Sequence, residues 1–306
     1  MKYLIIIVLL LSGGSLYSQT GKAGKGNVIA DKDFLKYLLS ANEQNSIAVD
    51  STYQSLRLDA NKDGIISASE AEKVTRLNIE KTPVVTLKGI ELFKNLKTLL
   101  IKAETLKDLN GVETLKKLQY IDCSFSKSMK ELSFKNLPKL ETIDCGWSSL
   151  TKLELAGLPS LERLRCGTNK LEKLDLSQLT SLTELVCESN SLTELSVNHL
   201  KDLKSLRCDN NFLRNLDVSN LKELEYINCS YNEISTLNFE NLKKLTDINC
   251  AYNRIKKLNI KTNGKPLTRL TIEGNRYINT LCYNDFDLEL IKAGNIEKIS
   301  LTNSCN

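Results

Sequence analysis

Seven of the nine cysteines, Cys123, Cys145, Cys166, Cys187, Cys208, Cys229 and Cys250, recur 22 residues apart once and 21 residues apart thereafter. Thiols offer metal binding, disulfide formation or nucleophilic attack, and the spacing argues against each. A structural zinc site gathers its thiolates on one point, commonly through closely spaced pairs, whereas this period lays the sulfurs out in a line. Neighbouring repeats bring Cα atoms about 4.8 Å apart, within disulfide reach. Their parallel side-chain directions oppose the torsion a disulfide needs, and an odd number leaves one unpaired. A nucleophilic thiol needs an exposed, electropositive setting and a base, but the single histidine, His199, lies in Val197-Asn198-His199-Leu200, away from the cysteine positions and on the expected solvated surface. The seven are expected to be small, buried, unreactive core thiols.

The elements that position them follow from the period. Each cysteine sits in one frame, Leu161, Leu164, Cys166, Asn169, Leu171, Leu174 and then Leu182, Leu185, Cys187, Asn190, Leu192, Leu195. Rungs begin at Val74, Leu96, Leu118, Leu140, Leu161, Leu182, Leu203, Leu224, Leu245 and Leu267, with a degenerate last one at Ile296. Within a rung, Leu164 and Cys166 point inward and Arg163, Arg165 and Gly167 outward, the alternation of a strand. One such strand cannot bury its apolar face alone; stacking builds a continuous parallel sheet and one long core, with about eleven rungs spanning roughly 50 Å. Asn169, Asn190, Asn211, Asn232, Asn253 and Asn275 follow the strand at one repeat position, where a side-chain amide can satisfy backbone groups left by the turn. Ser126 and Ser148 replace it in early rungs, and Glu104 and Thr82 stand there in the first two, so the N-terminal rungs should be less regular.

This frame resembles the leucine-rich-repeat family, especially the short bacterial 21–22-residue class of internalin-like proteins, over residues 74–304. The resemblance implies an α/β solenoid, a right-handed coil with a parallel sheet on its concave face, a mostly irregular convex side and a small helical N-terminal cap. It also implies recognition or adhesion, although a fold does not by itself give a function.

Asp59-Ala60-Asn61-Lys62-Asp63-Gly64-Ile65-Ile66-Ser67-Ala68-Ser69-Glu70 resembles the EF-hand calcium loop. The resemblance implies Asp59, Asn61, Asp63, the Ile65 carbonyl, Ser67 and Glu70 as ligands of a single Ca2+. Ala68 to Leu77 is expected as the exiting helix, whereas Thr52 to Leu58 is short for an entering one, and no second loop is present. A structural ion is therefore expected rather than a switch, the alternative being an Asp/Asn-rich turn without metal. Residues 31–73 are expected to cap the N-terminal end of the core, with Phe34, Leu35, Tyr37, Leu38 and Leu39 packing over it.

Met1-Lys2, the apolar run Tyr3 to Leu11 and the small polar stretch Ser12 to Gln19 form the pattern of a secretory signal peptide. The expected organisation is 1–19 signal, 20–30 flexible lead, 31–73 cap, 74–281 repeat array and 282–306 C-terminal cap. The apolar run is too short for a bilayer span, and no cysteine precedes Cys123 to carry a lipid, so a secreted, periplasmic or cell-surface location is expected. Export favours a disulfide between Cys282 and Cys305, which fall outside the period, to close the C-terminal end of the core; the alternative is two further buried thiols.

Net charge is +5, with lysines and acids interspersed. That is a mixed-charge surface, without the clustered basic face of a nucleic-acid binder. No triad, carboxylate pair or phosphate loop supports catalysis. Exposed positions vary between rungs, as a binding face on an invariant frame requires. Two residues after each cysteine come Phe125, Trp147, Thr168, Ser189, Asn210, Tyr231 and Tyr252. Phe125 and Trp147 are expected to be adjacent and joined by Tyr120, and Tyr231 and Tyr252 to cluster near Tyr226. Arg163, Arg165, Glu184, Glu188, Arg207 and Asp209 lie between as a mixed-charge centre. Exposed aromatics favour an extracellular or cell-surface protein as partner, with a glycan stacked on the rings as the alternative and simple packing of the rings on one another as the bland one.

Overall fold

The computed structural model describes residues 29–80, 82–287 and 300–302. The expected signal peptide and most of the flexible lead lie outside the described residues, as do Ile296 and Cys305.

One helix, α1 (Lys32–Leu39), precedes β1 (Ala48–Val49); α2 (Ala68–Ala71) leads into β2 (Arg76–Glu80), β3 (Thr98–Lys102) and β4 (Tyr120–Asp122). There follow β5 (Glu131–Lys135), β6 (Thr142–Asp144), β7 (Lys152–Ala156), β8 (Arg163–Arg165), β9 (Glu184–Val186), β10 (Ser205–Arg207) and β11 (Tyr226–Asn228). The remainder are β12 (Thr236–Asn238), β13 (Asp247–Asn249), β14 (Lys257–Asn259), β15 (Arg269–Thr271), β16 (Thr280–Cys282) and β17 (Ser300–Thr302).

Eleven strands form the main sheet in the order β1-β2-β3-β4-β6-β8-β9-β10-β11-β13-β15. All its pairings are parallel except β1 with β2, which is antiparallel. The register carries the repeat into space: Leu164 pairs with Leu185, Leu185 with Leu206 and Leu206 with Ile227. These side chains are fully buried, each contributing about 1.5–3 kcal/mol. All seven periodic cysteines are free and fully buried beside them. Burial pushes every thiol far above its ordinary pKa, that of Cys250 to about 12.

The asparagines stitch each turn to the one before it. Asn190 Nδ2 donates to the carbonyls of Cys166 and Cys187 at 3.1 Å each, and its Oδ1 accepts from Leu171 N at 3.0 Å. Asn169, Asn211, Asn232 and Asn253 repeat the pattern. Ser148 reproduces part of it, its Oγ reaching Gly146 O and accepting from Ser126 N. The Ser126 hydroxyl is buried without a partner. The first rungs differ as expected, with five-residue strands β2 and β3 and 3-10 turns at Ile90–Leu92 and Val112–Thr114.

Two expectations need correction. The side away from the main sheet is mostly irregular, with no strand of its own from 157 to 235, but it also carries short parallel pairings, β5 with β7 and a second sheet of β12-β14-β16-β17. Glu131-Leu132-Ser133-Phe134-Lys135 alternates exposed and buried, so it satisfies strand periodicity there too. The last strand, β17, extends this second sheet from β16, not the concave one. The helix after the 59–70 loop covers only Ala68–Ala71, because Val74 is drawn into the core and Arg76 onward pairs with β3.

The N-terminal cap is tied to the first rung. Asp31 caps α1 by accepting from Asp33 N and Phe34 N, while its other oxygen accepts from Val85 N and Thr86 N. Phe34 and Leu38 are fully buried, and Leu35, Tyr37 and Leu39 pack partly buried against the same core. The Tyr37 hydroxyl accepts from Glu80 N at 3.2 Å.

Candidate recognition surface

Past the end of each concave strand from β4 to β15, one residue per rung takes a left-handed conformation. Phe125, Trp147, Thr168, Ser189, Asn210, Tyr231 and Tyr252 have φ between 52° and 61°, and Gly274 continues the column at 73°. The inter-rung ladder fixes them: Trp147 N donates to Gly167 O at 3.0 Å, Ser189 N to Asp209 O at 2.9 Å and Tyr231 N to Ala251 O at 3.0 Å. Only Asn and Gly adopt this region easily, so aromatics here are held against their own preference.

The column presents two ring pairs. Phe125 and Trp147 stack with centroids 6.1 Å apart and planes 14° from parallel. Tyr231 and Tyr252 stack at 4.5 Å and 11°. Trp147 is 59% exposed and Tyr231 51%. A Cβ at Gly274 would sit 2.5 Å from Tyr252 Cδ1, so the missing side chain at 274 makes room for that ring.

Tyr120 and Tyr226 are not brought to these pairs. Each opens a concave strand, five residues before the aromatic column, a separation of about 16 Å along extended chain. Their electrostatic neighbours are charged: Asp122, Asp144 and Arg165 for Tyr120, and Arg207, Asp247 and Asp209 for Tyr226. Burial first, and nearby carboxylates next, push both phenols above their ordinary pKa, with Arg207 opposing at Tyr226.

The charged centre lies between. Arg165 makes a two-pronged contact with Glu184, Nε to Oε1 at 2.9 Å and Nη2 to Oε2 at 3.2 Å. Arg163 Nε donates to Thr142 Oγ1 at 3.1 Å. Arg207 is exposed and makes no ion pair within 4.0 Å among the described residues. Burial raises the carboxyl pKa of Asp144, Glu188 and Asp209. Glu188 Oε2 and Asp209 Oδ1 are buried without hydrogen-bond partners. Sequence reasoning placed Glu188 and Asp209 in the charged centre but missed that the Glu188 carboxylate folds into the space over Gly167, one rung earlier, where a Cβ would meet it at 2.5 Å.

His199 is half-buried rather than solvated, and its Nε2 donates to the Leu176 carbonyl at 3.0 Å. Cys282 is disulfide-bonded, in contrast to the seven free cysteines.

The 59–70 loop turns on its own side chains. Asp59 accepts from Asp63 N at 3.1 Å and Gly64 N at 3.0 Å, Asn61 Oδ1 from Asp63 N, and Asp63 from Ile65 N at 2.8 Å. Gly64 has φ 79°. Ser67 and Glu70 form a capping box on α2, and Glu70 Oε1 also accepts from Ala60 N at 2.9 Å. Burial would raise the Glu70 pKa, but these donors outweigh it and hold it below the ordinary value. Thr52 to Leu58 contains no helix, so a helix-loop-helix is absent, and among the described residues no group of three acidic or imidazole or thiol ligands is gathered for a metal. The loop has the oxygen donors a hard cation takes, with Glu70 engaged in the cap.

No protein-family model and no curated protein matches the chain. Solved structures do. InlP from Listeria monocytogenes aligns over 74% of this chain and 64% of its own, at 23% identity and TM-score 0.56. The Leptospira interrogans LRR protein LIC12759 aligns over 76% and 73%, at 21% identity and TM-score 0.52. The fold is a leucine-rich-repeat coil. The functional domain of InlJ from Listeria monocytogenes, described as including a cysteine ladder, aligns over 84% of this chain at 24% identity and TM-score 0.49. The chain spans 64% of the InlJ chain. Among the described residues no helix of this leucine-rich-repeat coil is long and apolar enough to cross a membrane.

Proposed function

We propose that this leucine-rich-repeat chain is an exported recognition protein that binds an extracellular or cell-surface protein through its concave sheet and the aromatic column beside it, without catalysis. The observation that carries this is the column itself: four large aromatic rings, stacked in two exposed pairs, occupy backbone positions that disfavour them. Such rings, flanking a charged centre, are the side chains that dominate protein interfaces. The test is capture of proteins from the organism's surroundings by the parent and by Trp147→Ala with Tyr231→Ala. Loss of a specific captured protein in the double variant, at unchanged melting temperature, is the expected result. Unchanged capture would remove the column from the interface, and binding that moves instead on a glycan array would replace the protein partner with a sugar.

Two stabilising devices belong to this proposal. The loop from Asp59 to Glu70 takes one Ca2+, using Asp59, Asn61, Asp63, the Ile65 carbonyl, Ser67 and Glu70, which requires Glu70 to leave Ala60 N. Cys305 is the proposed disulfide partner of Cys282, closing the C-terminal end of the array.

A further inference from the structure

One constellation occurs twice on the concave face. The rung of β4 carries Tyr120, Asp122, Ser124 and Phe125, and the rung of β11 carries Tyr226, Asn228, Ser230 and Tyr231 in the same places. The neighbouring rung extends each copy: Asp144 pairs in register with Asp122 and is followed by Trp147, and Asn249 pairs with Asn228 and is followed by Tyr252. The local bonds match as well. Asp122 Oδ1 accepts from Ser124 N at 3.0 Å and Ser124 Oγ at 2.6 Å, and Asn228 Oδ1 from Ser230 N at 3.2 Å and Ser230 Oγ at 2.8 Å. Asp144 Oδ1 accepts from Gly146 N and Asn249 Oδ1 from Ala251 N, both at 3.2 Å. The three rungs between the copies carry Arg165, Val186 and Arg207 in place of the Asp or Asn, and Thr168, Ser189 and Asn210 in place of the ring.

The two copies share a shape and differ in hydrogen-bonding sense. A backbone N–H can only donate, so each turn fixes the side-chain oxygen and leaves the second head atom: Oδ2 of Asp122 and Asp144, Nδ2 of Asn228 and Asn249. None of these four atoms has a hydrogen-bond partner among the described residues, and none is enclosed. The first copy therefore offers two acceptors with negative charge, and the second two donors without charge. Arg165, in register with Asp144, is taken by Glu184 and does not neutralise the first copy. Arg207, in register with Asn228, is exposed and makes no ion pair within 4.0 Å among the described residues, so it adds positive charge to the second. Asp247 there is matched by Arg269 at 3.8 Å, and burial at Asp209 disfavours its charge. We infer, resting on the concave-face proposal above, that the two copies are the ends of one docking site for a single extended segment of the protein partner, with a basic residue over Asp122 and Asp144 and an acidic residue over Asn228, Asn249 and Arg207. The stem of the basic residue lies against Trp147. Five strand spacings separate β4 from β11, about 24 Å, which about seven residues of extended chain span. Because side chains alternate along such a chain, the two anchors stand six or eight residues apart, on one face. Between the ring pairs the column carries only Thr168, Ser189 and Asn210, so a single chain settles between rings that would hold a flat surface off.

Random peptides of about twelve residues, long enough to reach both copies, are displayed on phage and selected on the full chain. Enriched sequences should carry Lys or Arg and Asp or Glu six or eight residues apart. A selected peptide is then titrated by fluorescence anisotropy into the parent and two exchange variants that keep every turn. Asn228→Asp with Asn249→Asp gives the second copy the chemistry of the first; it should weaken the parent-selected peptide about tenfold or more, and fresh selection on it should return two basic residues at the same spacing. Asp122→Asn with Asp144→Asn relieves the like-charge pair, so at an unchanged or raised melting temperature it should lose the preference for a basic residue. Enriched peptides without the spacing, no enrichment on the parent, or equal binding to the parent and both exchange variants would overturn the two-ended site. Protein capture that depends on Trp147 and Tyr231 while the selected peptides lack the spacing leaves the concave-face proposal standing and removes the two-ended site. Peptides with the spacing, obtained where no protein is captured, uphold the site and count against the partner instead.

Discussion

Glu188 and Asp209 are carboxyls whose surroundings oppose their charge. Burial raises both pKa values from the ordinary carboxylate value; Arg207 opposes the rise at each, Asp209 and Asp144 raise Glu188 further, and the Asn210 amide lowers Asp209. At a raised group the folded state binds the proton more tightly than the unfolded state. Stability therefore falls as pH climbs from the ordinary carboxylate range through the raised value. Asp31 and Glu70 act with the opposite sign: burial opposes them, but backbone donors at Asp31, and the Ser67 hydroxyl with backbone donors at Glu70, hold both low, so their contribution is present above the ordinary carboxylate range and lost as pH falls through their lowered values. Glu188→Gln with Asp209→Asn removes only the first effect. The variant is expected to gain melting temperature over the parent at pH 7 and to lose most of that gain at pH 4, measured by calorimetry in matched salt. A variant equally destabilised at both values would mean that the carboxylates have structural partners in solution.

At the scale of the element, the rung is legible because its period demands one solution. A leucine, a cysteine and an asparagine at fixed spacing fix strand, core and turn together, and the register of Leu185 with Leu206 and Ile227 follows from the 21-residue spacing alone. The second sheet was less legible. In Lys152 to Ala156 and Thr236 to Asn238 the alternation is short, and only the neighbouring rung makes a strand of it. The helix after the calcium-like loop was overextended because Val74 and Leu77 fit a helical face as well as a strand, and the stack decides between them. The aromatic column was legible, yet its strained backbone and the isolation of Asp209 were not, since both arise from contacts between rungs. The asparagine stitch tests the rung directly. Asn211 holds the carbonyls of Cys187 and Cys208 and the N–H of Leu192, all in the core. Asn211→Ala should cost about 3 kcal/mol in urea unfolding by stranding these groups. Asn210→Ala, one residue earlier with a side chain bonded only to Asp209, serves as the control, with a loss of about 1 kcal/mol. Equal losses at both positions would show that the stitch does not set rung stability.

For the whole molecule, stability is close to one-dimensional: each rung contacts its neighbours, so the ends are where the stack opens. The N-terminal end is closed by α1, by the antiparallel pairing of β1 on β2 and by Asp31 reaching Val85 and Thr86. The Asp59 to Glu70 loop lies between β1 and the helix that enters the first rung, so an ion there would stiffen the link between the two. At a calcium concentration about tenfold above Kd the ion would add about 1.4 kcal/mol, which for a chain of this size raises the melting midpoint by about 2 °C. Calorimetry in calcium and in chelator measures this shift. Glu70→Ala also breaks the capping box with Ser67 and lowers the baseline by itself, so the comparison is made within each variant rather than between them. In both Asp59→Ala and Glu70→Ala the difference between calcium and chelator should vanish. A parent with no such difference would reduce the loop to a hydrogen-bonded turn, and the cap would then depend on α1, on Asp31 and on the β1–β2 pairing to hold the first rung closed.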